Sequence, residues 1–373
     1  MKDIHLDVSG RGKLTSDDIE VLYNALQQGL LTDGSSLVGQ CTAEACYEDA
    51  VSALHERFPQ FSVEAMKWFA RFKDPEVLRV LLEHAQHASP DGFTKQELLN
   101  ITDIGTWFQG NTEIERIDEL NEAGITTLKG NAFNGCSSLK RIELDKVTFI
   151  NGQNSLKGCY ELEYICFPNI VNLIYDNTAF SYCGKAGGVI YMPKLIDYSF
   201  QTGLCGGSKM TTFLFPSYTH LRSSVFGGIF SSTNLDEDTP IIDIGNKIIN
   251  LWPNFGGGPD NNKYKRNIVI RAITPPTIQG KPWYGWYGRN TLFVPQNSLS
   301  AYQDLNFKDG DNRSYVFANI YAIGGTEWQN AMRIYANKYA KEKAGWTPEQ
   351  IATADYSDPY IDYRIFGIEP PTE

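Results

Sequence analysis

The feature that most restricts the fold of this 373-residue chain is that its middle repeats itself. Phe133-Asn134-Gly135-Cys136-Ser137-Ser138-Leu139-Lys140-Arg141-Ile142 returns as Leu156-Lys157-Gly158-Cys159-Tyr160-Glu161-Leu162-Glu163-Tyr164-Ile165, with the matching apolar positions 23 residues further on. Phe180-Ser181-Tyr182-Cys183 opens a third copy. Phe108-Gln109-Gly110-Asn111 is an earlier one with asparagine in the cysteine slot. Short apolar strands ending in proline follow: Ile165-Cys166-Phe167-Pro168, Ile190-Tyr191-Met192-Pro193, Phe213-Leu214-Phe215-Pro216 and Leu292-Phe293-Val294-Pro295. Proline cannot donate to a strand ladder, so it marks a strand's end. Units this short have too little core alone and are stable only when stacked coil on coil. The pattern predicts a right-handed solenoid over about 101–325, with Leu139 and Leu162 buried at matching places in adjacent coils.

The flanks read as helical. Before the repeats, Asp74-Pro75-Glu76 sets a cap residue ahead of proline at the first helical position, and Val77, Leu78, Leu81 and Leu82 follow as a stripe. Thr94 and Glu97 match a capping box before Leu98 and Leu99, and Thr15-Ser16-Asp17-Asp18 offers caps before Ile19, Leu22, Tyr23 and Leu26. After the repeats, Trp328, Met332, Tyr335 and Tyr339 share one helical face, and Thr347-Pro348-Glu349-Gln350 is a second capping box. The expected class is α+β: a helical domain over 1–100, a solenoid over 101–325 and a helical cap or tail over 326–373. Solenoids expose apolar surface at both ends, which such helices can cover.

The Phe-x-Gly-Cys-Ser-Ser-Leu-x-x-Ile phrase at 133–142 resembles the repeat of the BspA-type leucine-rich-repeat family, found in gut Bacteroidetes and in phages that infect them. The stretch Thr274-Pro275-Pro276-Thr277-Ile278, Leu292-Phe293-Val294-Pro295, Ser298-Leu299-Ser300-Ala301-Tyr302 and Ile320-Tyr321-Ala322-Ile323 is similar to that family's usual last unit. The lead-in Ile104-Gly105-Thr106-Trp107-Phe108 also resembles it. The likeness covers about 91–325, with irregular coils between 226 and 290. It implies a non-enzymatic binding or structural protein: a phage virion component, tail or capsid-associated, that presents a recognition surface. The alternative is a bacterial cell-surface adhesin. In related chains a calcium loop often precedes the lead-in. Here Asp91-Gly92 and Glu97 survive, but His87, Ser89 and Pro90 replace oxygen ligands, so a capped helix start is the better reading.

The recurring Asn111, Cys136, Cys159 and Cys183, with Cys205 next in series, read as a buried structural ladder. They lack the short Cys-x-x-Cys spacing of a metal centre. His84 and His87, at i and i+3, are a weak metal signal beside a solvated helix face. The candidate recognition residues are aromatic and lie in loops: Trp283, Tyr284, Trp286, Tyr287 and Arg289, with Trp252 and Tyr264 on another irregular return. Such rings can anchor a glycan or protein receptor, or cover the solenoid core. No catalytic site, metal or cofactor is expected. Neither a Ser/His/Asp nor a Cys/His signature is present, and Gly256-Gly257-Gly258-Pro259 lacks the lysine of a phosphate loop. An enzyme hidden in 1–100 or in the irregular coils is the rival of a different class.

A net charge of −11 without a basic block argues against nucleic acid, whose phosphates need a cationic face. No run of about twenty apolar residues suggests a membrane span. No secretory apolar run follows Met1, so export by the general route is not expected. Assembly in a bacterial host's cytoplasm fits that reading. Expected partners are other virion or surface proteins at the helical ends, and a second copy in a homo-oligomer.

Overall fold

The computed structural model describes residues 4–7, 37–41, 66–70, 72–85, 92–93, 95–173, 179–198, 208–221, 241–251, 266–278, 290–305 and 317–371. The chain divides into two compact units: residues 1–107 with 116–126, and residues 108–115 with 127–373.

The first unit departs from the all-helical expectation for 1–100. Its strands β1 (Ile4–Asp7), β2 (Leu37–Cys41) and β3 (Met66–Ala70) pair in parallel in that order. Helices α1 (Pro75–His84) and α2 (Lys95–Leu99) follow. Helix propensity and caps are local signals, whereas parallel pairing joins segments about thirty residues apart and leaves little local trace. Where the local signal was strong it holds. Asp74 caps α1 by accepting the Glu76 N–H, and its second oxygen accepts the Arg116 N–H. Val77 and Leu81 of the predicted stripe are buried.

The second unit is the solenoid. Strands β4 (Thr127–Lys129) and β6 (Phe149–Asn151) pair with each other. The main sheet runs β5 (Arg141–Glu143), β7 (Tyr164–Cys166), β9 (Val189–Tyr191), β11 (Thr212–Leu214), β13 (Ile241–Asp243), β15 (Asn267–Val269), β17 (Asn290–Val294) and β18 (Phe317–Ala322), all parallel. A narrower sheet holds β8 (Asn172–Leu173), β10 (Asp197–Tyr198), β12 (His220–Leu221), β14 (Asn250–Leu251) and β16 (Thr277–Ile278). Five successive coils, β7–β8 to β15–β16, therefore give one strand to each sheet. Helix α3 (Leu299–Asp304) lies before β18.

Register explains the core. The central residues Ile142, Ile165, Ile190, Phe213, Ile242, Ile268 and Leu292 lie opposite one another from strand to strand. All seven are buried, and their flanking residues point to the other face. Leu139 and Leu162 are buried at the expected equivalent positions. Each such side chain contributes about 1.5–3 kcal/mol of burial.

The outward rows carry the less expected part of the fold. One runs Glu143, Cys166, Tyr191, Leu214, Asp243, Val269 and Phe293, the other Arg141, Tyr164, Val189, Thr212, Ile241 and Asn267. Charged at β5, both are mostly apolar from β7 onward. The C-terminal helices lie on them: α4 (Thr326–Tyr335), a π-helical turn at Ala336–Ala340, α5 (Lys341–Ala344), α6 (Pro348–Thr353) and α7 (Ile361–Ile365). Val189, Leu214, Ile241, Val269 and Phe293 form one cluster with Trp328, Met332, Tyr335, Tyr339, Tyr363 and Phe366. The predicted helical face, Trp328, Met332, Tyr335 and Tyr339, thus meets the broad face of the main sheet and not the end of the solenoid. The predicted capping box forms, with Thr347 and Gln350 exchanging hydrogen bonds.

Polar contacts fasten this cover. Asn267 donates to the Tyr335 hydroxyl at 2.9 Å, and Lys343 pairs with Glu163 at 3.1 Å. Arg271 sits buried between two buried aspartates, its Nε 2.7 Å from Asp243 of β13 and a terminal nitrogen 2.6 Å from Asp362 of α7. Its other terminal nitrogen donates to the Pro359 carbonyl. Burial works against the guanidinium charge, but the two carboxylates outweigh it and hold the group firmly protonated. One cation cannot fully offset two anions. Burial, with Asp243 adding like-charge repulsion, pushes the Asp362 carboxyl up to about 7 against the pull of Arg271.

If the helices are core and not an appendage, Trp328→Ala should cost about 3–5 kcal/mol. Helical and sheet signals should then melt together in one transition. A separate early loss of helix would contradict that. The aspartate pair gives a pH test. A carboxyl raised above its unfolded value of 3.8 binds its proton more tightly when folded, so stability falls as pH rises from about 4 to about 7. Asp362→Asn removes the titration, so its melting temperature should stay flatter across that window. The variant should gain on the order of 1 kcal/mol or more on the native chain by neutral pH. Parallel pH curves for the two proteins would refute the shared burden.

Candidate binding surface

The repeated phrase builds a tight turn whose residue types each have a physical reason. Gly110, Gly135 and Gly158 take φ of +75°, +81° and +78°, a left-handed conformation that side chains disfavour. The next residue closes the turn. Cys136 Sγ donates to the Phe108 carbonyl and Cys159 Sγ to the Phe133 carbonyl, both at 3.0 Å, so each thiol ties its coil to the one before. Cys183 donates to Phe180 of its own turn and lies 3.8 Å from the Ser208 hydroxyl. Asn111 fills the same slot differently, its side-chain oxygen accepting the Glu113 and Ile114 N–H groups. Cys205 lies outside the described residues.

These thiols are buried and free, as is Cys166 in β7. Hydrogen bonding to Cys136 and burial push the Cys159 thiol far above its ordinary range. Burial, against the Tyr164 hydrogen bond and helped by the Glu143 and Asp145 charges, lifts Cys166 to about 12, and burial takes Cys183 to about 12 despite the offsetting Ser208 contact. Thiols held protonated are poor nucleophiles and poor metal ligands. The ladder is a structural device.

Two broad faces remain to be weighed for recognition. The outer face of the main sheet is occupied by the chain's own helices from β7 to β17. The narrow sheet is different. The residues just before β8, β10, β12 and β14, with the first residue of β16, form a row of Val171, Ile196, Thr219, Ile249 and Thr277. Successive members are joined by backbone hydrogen bonds of 2.8–2.9 Å. That linkage sets them about 4.8 Å apart, one strand spacing. All five are β-branched, and Val171, Ile196 and Ile249 are 37%, 40% and 56% exposed, although most side chains of their kind are buried in this fold. The row recurs with the coils and had a readable signal: a buried residue, then a β-branched one left exposed or half-exposed, in each return. Sequence reading centred on the strands after Phe-x-Gly-Cys missed it.

The loop aromatics singled out in the sequence, Trp252, Tyr264, Trp283, Tyr284, Trp286 and Tyr287, with Arg289, all lie outside the described residues. Of the histidine pair, His84 stacks on Trp107 with ring centres 5.6 Å apart, and His87 lies outside the described residues, as does Asp91. Among the described residues no group of three or more His, Cys, Asp or Glu side chains is placed to hold a metal ion, and no helix is long and apolar enough to cross a membrane.

Residues 102–235 match the family model described as the BspA type leucine rich repeat region, in six copies. No curated protein and no solved structure significantly matches the chain.

The turn ladder predicts how the thiols react. Cys136, Cys159, Cys166 and Cys183 should resist a maleimide reagent in the native protein and label together on unfolding, when all seven cysteines of the chain become countable. Peptide mapping of the labelled sites reads this directly. Rapid native labelling at two or more of the four would mean that the stacked turns are open.

Proposed function

From the premise that residues 102–235 are a BspA-type leucine-rich-repeat region, we propose that this chain is a non-enzymatic binding protein. Its place would be in a virion, as a tail or capsid-associated component of a phage of gut bacteria. The observation that carries the binding role is the exposed β-branched row, Val171, Ile196, Thr219, Ile249 and Thr277, on a rigid periodic scaffold. The broad face of the main sheet is already spent on the chain's own helices, so a partner's natural access is through the narrow sheet and the turns beside it. A regular row of this kind suits an extended or repetitive partner, because one register of contacts can recur along it.

Two features support the virion setting. The resemblance over 91–325 is to repeats found in phages as well as bacteria. Cys136, Cys159, Cys166 and Cys183 are free and buried, so this part of the fold draws no stability from disulfides, in keeping with assembly in a reducing host cytoplasm. In that setting the helical parts would dock to other virion proteins, and the solenoid would face a host receptor. The second reading, a cell-surface adhesin, uses the same binding row in a different place.

A mass-spectrometric inventory of purified particles, beside a surface-shaving digest of the bacterium carrying the gene, separates the two. Peptides of this chain are expected in the particles at a stoichiometry matching other structural proteins. Their presence only in the shaved surface fraction would replace the virion reading with the adhesin one.

A further inference from the structure

A cleft of about 720 Å³ opens in the second unit where the turns after β13, β15 and β17 meet the stretch after β18 and the Pro359–Tyr360 segment. That volume lies within the roughly 300–1,000 Å³ of small-molecule sites. Three carboxamides line it: Asn246, Gln296 and Asn297. All three are exposed. Among the described residues the Asn246 and Gln296 amides have no side-chain hydrogen bond, and Asn297 accepts only a long one, 3.4 Å, from Ser298. Beside them stand large apolar side chains that the fold leaves in the open, Ile249 at 56% and Ile273 at 67% exposure, with the Tyr360 ring close by.

The chemistry of this lining narrows the occupant. An anionic ligand needs uncommitted positive charge. The Arg271 guanidinium on the cleft wall is already held by Asp243, Asp362 and the Pro359 carbonyl, which leaves Lys247 as the cation among the described lining residues. The chain's net charge of −11 also repels polyanions. Among the described residues that line the cleft, a cation would find no carboxylate. A purely apolar molecule would strip water from three amides and return no hydrogen bonds, which costs about 1–3 kcal/mol for each group. A carboxamide both donates and accepts, as a sugar hydroxyl does. The exposed isoleucines match the C–H faces of a pyranose ring.

We propose that this cleft is a saccharide site, selective for neutral sugars, with Asn246, Gln296 and Asn297 bonding the hydroxyls and Ile249 and Ile273 supporting a ring face. Ile249 belongs both to the cleft and to the exposed row, so the two surfaces are continuous. A chain of several sugars that begins in the cleft can extend along Thr219 and Ile196. The inference rests on the reading of the chain as a recognition protein and gives that reading a ligand class.

The test uses the full chain and four neutral trisaccharides, built of glucose, mannose, galactose or N-acetylglucosamine, with a trimer of galacturonate as the anionic control. Saturation-transfer NMR and calorimetry should detect binding of at least one neutral trisaccharide in preference to the galacturonate. Asn246→Ala/Gln296→Ala and, separately, Ile273→Asp should each weaken it about tenfold or more. Their melting temperatures should be unchanged, since all three positions are exposed. Absence of binding by every neutral trisaccharide at millimolar concentration, preference for the galacturonate, or undiminished binding in both variants would each overturn the proposal. None of those outcomes alters whether the chain is found in particles, so the site can fail while the virion reading stands.

Discussion

A parallel sheet that presents apolar side chains on both faces must be covered on both, and the second unit is organised around that requirement. Inside the coils the cover comes free, because each coil folds back over its own strand. Outside, nothing in a repeat can supply it. The residues after β18 do so by turning at Gly324-Gly325, where Gly324 takes φ of +80°, and laying helices across six strands. Trp328 against Phe293, with rings 5.3 Å apart and nearly perpendicular, and Tyr363 edge-on to Tyr191 are the aromatic contacts that bind the two layers. In this chain the helical segment completes the core.

That arrangement also explains where charge is tolerated. Asp243 lies in the outward row, between Leu214 and Val269, where its burial would be prohibitive without a partner. Arg271 supplies one, and Asp362 shares it from the helix side. Removing either carboxylate alone leaves a balanced pair, whereas removing the cation leaves two buried anions. The arginine is therefore the member that the other two depend on. Tyr360 lies over the same guanidinium at 4.3 Å, so an aromatic face supplements the hydrogen bonds.

The repeat period, the strand ends at proline, Leu139 and Leu162 in matching places, the buried cysteine slot and the capping at Asp74 and Thr347 were all readable from residues. Each depends on neighbours within a few positions or one period away. The parallel sheet in the first hundred residues was not, because its pairings join segments with no repeated phrase between them. The sheet cover was half readable. Trp328, Met332, Tyr335 and Tyr339 declared an apolar face, but what it meets is settled by the outward rows. Their sign was in the sequence: the strands change from Arg141-Ile142-Glu143, polar on both sides, to Val189-Ile190-Tyr191 and, within β17, Leu292-Phe293-Val294, which read as the continuous apolar runs of a sheet buried on both faces. The exposed row was hidden for the opposite reason, since an exposed isoleucine looks like core until its neighbours are placed.

The abrupt change from charged to apolar outward residues at β7 divides the solenoid into two kinds of coil. Among the described residues, the coils before that point contribute none to the core shared with the helices, so a lineage could gain or lose a unit there and change the protein's length without cutting into that core. A unit inserted between β13 and β17 would carry Arg271 away from Asp362 and break the match between sheet and cover. Variation in coil number should therefore gather at one end of the solenoid, while the other end keeps a fixed count. The same helices that close the sheet also set how far the repeat can evolve.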